Sequence, residues 1–93
     1  MDRMDRTECL EKAIEVVNGQ REQDYGKPEN NLGAIAELWT DIFGCTFNSV
    51  DVCLAMIELK ISRIKSGHAT MDSFVDICGY AAIGAEMQSM INE

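Results

Sequence analysis

The chain has 93 residues, 46% of them apolar and 26% charged, with eight Lys and Arg against sixteen Asp and Glu for a formal charge of -8. That is the composition of one small globular domain able to bury roughly 60–65% of its unfolded surface, rather than that of a disordered chain. The acidic balance argues against nucleic acid and anionic membrane as partners while leaving room for a local basic pocket.

Further classes fall away on local features. The longest apolar-leaning run, residues 77–85, is far short of the ~20 residues that cross a bilayer. The opening MDRMDRTECLEK carries no apolar signal region. Cys9, Cys45, Cys53 and Cys78 form no CxxC pair and the chain holds a single His, so a zinc site is not expected and a reduced, cytoplasmic setting is. Cys53 and Cys78 read as small core residues within apolar helical patterns.

With one proline, no repeat and no long linker, residues 1–93 read as one all-α domain of four helical segments. The first spans about residues 5–18, with Leu10, Ala13, Ile14 and Val17 on one stripe, Asp5 and Glu8 at capping-box spacing, and Gly19 as its stop. The second spans about 29–43, with Leu32, Ile35, Ala36, Trp39, Ile42 and Phe43 facing inward and Gly44 as terminator. The third spans about 50–66, with Ser49 as N-cap and Gly67 beyond its end. The fourth spans about 71–91, with Thr70 as N-cap. It is apolar around most of its circumference between Phe74 and Ala85 and rich in Gly and Ala, which predicts a homo-oligomer, most simply a twofold dimer through the third and fourth helices.

Three features exceed what a plain bundle needs. Lys60 lies opposite the solvated stripe of Asp51, Glu58, Ser62 and Lys65, with Arg63 one turn on. A cation on an apolar face must snorkel out or meet an anion. The pair therefore reads either as a structural ion pair or as an anion site, Arg63 supplying bidentate contacts and Lys60 a point charge. Asp72, Asp76, Gly79 and Tyr80 share one side of the fourth helix. Asp72 suits the first-turn dipole, Asp76 suits pairing with Lys60 or Arg63 or contact with a ligand, and Tyr80 offers a ring and a hydroxyl. The stretch Arg21-Glu-Gln-Asp24-Tyr25-Gly26-Lys27-Pro28, followed by Asn31, reads as a polar turn between the first two helices, with Arg21 and Lys27 flanking a helix N-terminus. His68 reads as an exposed loop residue and Trp39 as core packing.

Taken together, the Asp24-Tyr25-Gly26 turn, Asn31, Trp39, Lys60-x-x-Arg63 and Asp72-x-x-x-Asp76-x-x-Gly79-Tyr80 resemble small helical proteins of bacteriophages and prophages, some called nucleotide-modification-associated. Those in turn are similar to the all-α, MazG-like nucleoside triphosphate pyrophosphatases. The resemblance covers about residues 20–86. It implies a four-helix, MazG-like bundle completed by oligomerisation and a pocket for the phosphates and base of a nucleotide. The enzymes hold magnesium with E-x-x-E on one helix and E-x-x-D on the next. Here Glu37 is followed at i+3 by Thr40 and at i+4 by Asp41, Glu58 is followed at i+3 by Ile61, and Asp72 and Asp76 are four apart.

The expectation is therefore a nucleotide-type ligand bound by Arg21, Asp24, Tyr25, Lys27, Asn31, Lys60, Arg63, Asp72, Asp76 and Tyr80, with no catalytic residue, metal ligand or cofactor assigned. In the cytoplasm of an infected or lysogenic host this fits a sponge that sequesters a cyclic or ADP-ribose-like signal. The alternatives are a divergent, magnesium-dependent nucleotide pyrophosphohydrolase and a helical adaptor for a host protein.

Overall fold

The computed structural model describes residues 3–92. The order is α1 (Arg6–Glu15), a π-helical turn (Val16–Gln20), α2 (Arg21–Tyr25), α3 (Pro28–Phe43), α4 (Ser49–Lys65) and α5 (Thr70–Ile91). No strand occurs among the described residues. Because α1, the π turn and α2 run on without a break, the described residues make four helical rods. Among the described residues no helix is long and apolar enough to cross a membrane.

The helix ends follow local chemistry. Asp5 accepts a hydrogen bond from the Glu8 amide at 2.8 Å and starts α1. The first rod does not stop at Gly19. That residue stays helical, at a cost near 1 kcal/mol relative to Ala, and the rod ends at Gly26, whose φ of 80° reverses the chain. Pro28 then opens α3, where its missing amide proton costs nothing. Gly44, at φ 72°, closes α3, and Gly67, at φ 81°, follows α4. The N-cap of α4 is Asn48, one residue before the expected Ser49: Asn48 Oδ1 accepts from the Asp51 amide and Asp51 Oδ2 accepts from the Asn48 amide, both at 2.9 Å. The expected cap Thr70 is already helical, and Ala69 before it turns the chain in the left-handed region at φ 49°.

Helices α4 and α5 form an antiparallel hairpin whose register is set by Lys60 opposite Asp76 and Cys53 opposite Gly84. At its open end α3 lies across it. The buried core there is Leu32 and Ala36 from α3, Val52 and Cys53 from α4, and Ile83 and Met87 from α5, with Trp39 and Phe47 packed on it. Trp39 and Phe47 meet edge to face at 5.8 Å between centroids, a favoured ring geometry. The rod α1 to α2 covers α5 from another side, burying Ala13 and Val75. Cys53 is fully buried as expected. Cys78 is half-buried, with its sulfur 3.9 Å from that of Cys9.

Candidate functional site

A cavity of about 230 Å³ opens between the first rod and the α4–α5 hairpin. Its polar wall is made by Arg21, Asp24, Tyr25, Lys60, Asp76 and Tyr80, and its apolar wall includes Ala13, Val17 and Ile83. The π-helical turn is what brings Arg21 there. In an unbroken α-helix the residue eight positions after Ala13 lies about 80° round from it, on the flank that carries exposed Ile14. One extra residue per turn rotates everything downstream back by about 100°. Arg21 thus returns to the buried meridian of Ala13, and Tyr25, one turn later, follows it into the cavity.

Three contacts hold the Arg21 guanidinium. It lies 5.4 Å from the ring centroid of Tyr25 and 5.7 Å from that of Tyr80, a cation between two π faces. Its Nη2 donates to Asn31 Oδ1 at 3.2 Å, tying the first rod to α3. Its Nη1 is buried and has no hydrogen-bond partner among the described residues. A buried, charged N–H without an acceptor costs about 1–3 kcal/mol or more, a cost removed by any anion that reaches it. The guanidinium also acts on Cys53, where burial pushes the thiol up and the charge of Arg21 pulls it part of the way back.

Lys60 and Asp76 supply the second charged element. Lys60 Nζ stands 2.9 Å from Asp76 Oδ2, and both side chains are mostly withdrawn from solvent. The lysine expected on an inward face has found an anion on the chain, with the cavity alongside. The remaining residues named from the sequence separate into two groups. Asn31 acts from behind, as acceptor for Arg21. Lys27 and Arg63 are exposed and stand outside this cavity, while Asp72 lines a neighbouring surface pocket with Glu15 and Asp76. Sequence spacing coupled Lys60 to Arg63. The folded chain couples it to Arg21, from a segment read as a turn. Had residues 21–25 been read as helical, the i, i+4 spacing of Arg21 and Tyr25 would have signalled the stacked pair.

Among the described residues no group of three or more His, Cys, Asp or Glu side chains converges to hold a metal ion. His68, the expected loop residue, is exposed and lies 3.2 Å through Nδ1 from the Ser66 hydroxyl. The cavity offers a planar cation within reach of two tyrosine rings, a lysine paired with a carboxylate, and a second carboxylate, Asp24.

The fold and site thus define a small all-helical domain with a cavity lined by two tyrosines, two cations and two carboxylates. The chain belongs to the family described as a domain of unknown function, DUF6378, which matches residues 8–88. Its relatives include the Gene 55 protein of Mycobacterium phage L5, 44% identical over 80 residues that cover 85% of this chain and 51% of the phage protein. The Gene 55 protein of Mycobacterium phage D29 is 38% identical over 72 residues, covering 77% and 48%. The chain therefore spans about half the length of these relatives. No solved structure matches it.

Proposed function

We propose that the protein captures a nucleotide-type ligand without transforming it, and that in a phage setting it acts as a sponge for a host signal of the cyclic-nucleotide or ADP-ribose class. The observation that carries this reading is the Arg21 guanidinium, within cation–π distance of Tyr25 and Tyr80, with Nη1 buried and without a hydrogen-bond partner among the described residues. A phosphate oxygen supplies the missing acceptor, and a guanidinium fork matches phosphate geometry. Lys60, shared with Asp76, adds a second positive charge beside it. Tyr25 is 62% exposed and leaves ring surface for a base to stack on.

The cavity is smaller than the ~300–1,000 Å³ usual for drug-sized ligands. It therefore encloses the anionic end and leaves the rest of the ligand along the surface. The phage relatives support the phage setting, and the sequence resemblance to nucleotide-modification-associated and MazG-like proteins points to the ligand class. Capture works by affinity and slow release, so the effect is stoichiometric and needs neither turnover nor cofactor.

The test is to incubate the protein with candidate nucleotides and Mg²⁺, remove free ligand, denature by heat and identify the released molecule by mass spectrometry. Intact ligand in stoichiometric amount supports capture. Pyrophosphate with a nucleoside monophosphate overturns it in favour of a pyrophosphohydrolase. A protein that releases nothing from any candidate, and carries nothing from its expression host, overturns both.

A further inference from the structure

Apart from Cys9 beside Cys78, no described residue is seen to cover the outward face of α5. Phe74, Cys78, Ala81, Ala85 and Gln88 recur at intervals of four, three, four and three residues, the spacing at which one helix seam meets another. All but half-buried Cys78 are exposed, as are the flanking Met71 and Ala82, and no charged residue falls on the seam. Beside it runs an apolar groove of about 470 Å³ between α1 and α5, which shares Cys78 and Ala82 with the seam edge. Its walls include Leu10 and Ile14, 56% and 60% exposed.

The chain also shows too much surface for its mass. It exposes 6582 Å², where a folded monomer of 10.4 kDa exposes about 5,400 Å². Its radius of gyration is 14.1 Å, against about 12 Å for a compact chain of this length. The excess, about 1,200 Å², is of the size each protomer hides in a stable dimer, where about 800 Å² per partner is standard.

We infer that this face is covered by a second copy of the chain, α5 against α5 about a twofold axis near Cys78. The face grades from bulky to small along the helix: Met71 and Phe74 in its first half, Ala81, Ala82 and Ala85 in its second. An antiparallel pairing about Cys78 sets each copy's Phe74 against the partner's Ala82, beside the partner's Leu10 and Ile14, and each Met71 against the partner's Ala85. A gradient of this kind is complementary to itself, as a twofold contact requires. Charge selects the same face, because a chain of formal charge -8 repels its copy wherever its acidic surface would meet. The cavity of Arg21 and Lys60 lies on the other side of α5 and stays open in the pair.

Light scattering on the size-exclusion peak of the full chain tests this. The wild type is expected at twice 10.4 kDa, with self-association strengthened by salt, which screens the acidic surfaces. Ala85→Glu and Ala81→Glu alter exposed helical positions and retain the helical circular dichroism. They are expected to weaken association by at least about 100-fold through burial of like charges at the seam. Ile42→Glu, on the exposed end of α3, leaves the dimer intact. A wild-type mass of one chain at tens of micromolar overturns the inference. So does a dimer that survives both alanine substitutions while folded, or one that Ile42→Glu dissolves.

Discussion

Lys60 and Asp76 meet at 2.9 Å across the α4–α5 hairpin, one turn before the ring of Tyr80. The pair fixes hairpin register and forms one wall of the cavity, so it links stability to the site. Asp76→Asn removes the carboxylate but keeps its shape and leaves Lys60 half-buried without a charge partner. A charged hydrogen bond of this kind contributes about 1.5–3 kcal/mol, and urea melts are expected to show a loss in that range. Ligand affinity moves the other way in calorimetric titration: a lysine released from its carboxylate binds an anion more tightly. An enzyme that used Asp76 chemically would instead lose its turnover.

Arg21 separates specific capture from general attraction. Arg21→Ala is expected to cost ligand binding about 2–5 kcal/mol, the range for a desolvated cation removed from its anion. Arg21→Lys restores the charge but not the planar fork or the stacking between two rings, and recovers little of that loss. Arg63→Ala, at an exposed position outside the cavity, is expected to leave affinity within about 0.5 kcal/mol of wild type, as for most surface substitutions. Equal losses at Arg21 and Arg63 would mean that overall charge, not the cavity, holds the ligand.

Two helical glycines are expected to respond in opposite ways to alanine. A Cβ at Gly33 meets nothing within 4 Å, so Gly33→Ala gains the roughly 0.5–1 kcal/mol of an alanine inside a helix. A Cβ at Gly79 falls 3.1 Å from Cγ2 of Val17, a β-branched side chain of restricted rotamer in the π turn. Gly79→Ala is expected to show no such gain in thermal melts and to weaken ligand binding, because it pushes on the turn that aims Arg21.

The buried thiol of Cys53 makes stability fall in alkali. Burial raises its folded-state pKa above the usual cysteine value near 8.5. Its contribution is therefore fully present below the unfolded value and is lost as pH rises toward the folded one, where the unfolded chain has already released the proton. Between pH 8.5 and 10 the wild type is expected to lose more stability than Cys53→Ala. An equal slope in both proteins would remove Cys53 as the cause.

Much of the helical architecture was legible in the residues. On the stripe of Leu32, Ile35, Ala36, Trp39, Ile42 and Phe43, the first four mark the inner face of α3, while Ile42 and Phe43 are exposed at its end, past the reach of the hairpin. Gly44 and Gly67 marked two ends, because left-handed glycines act over a few residues. Lys60 stood out as a cation opposite a solvated stripe, and Asp76 was among the partners its position suggested. The first rod was misjudged at Gly19, since a glycine interrupts a helix only where the chain needs a positive φ, and here that place is Gly26.

The all-helical class and the inward aim of Lys60 were thus set by sequence alone, through interactions between residues three or four apart, whereas Leu10, Ile14, Ile42 and Phe43 lie exposed on stripes whose periodicity pointed inward. Arg21 as the second cation of the cavity was decided only by the folded chain. Its place depends on a π turn that rotates it by about one residue, on Asn31 from α3 and on Tyr80 from far along the sequence, contacts that exist only once packing has brought distant segments together.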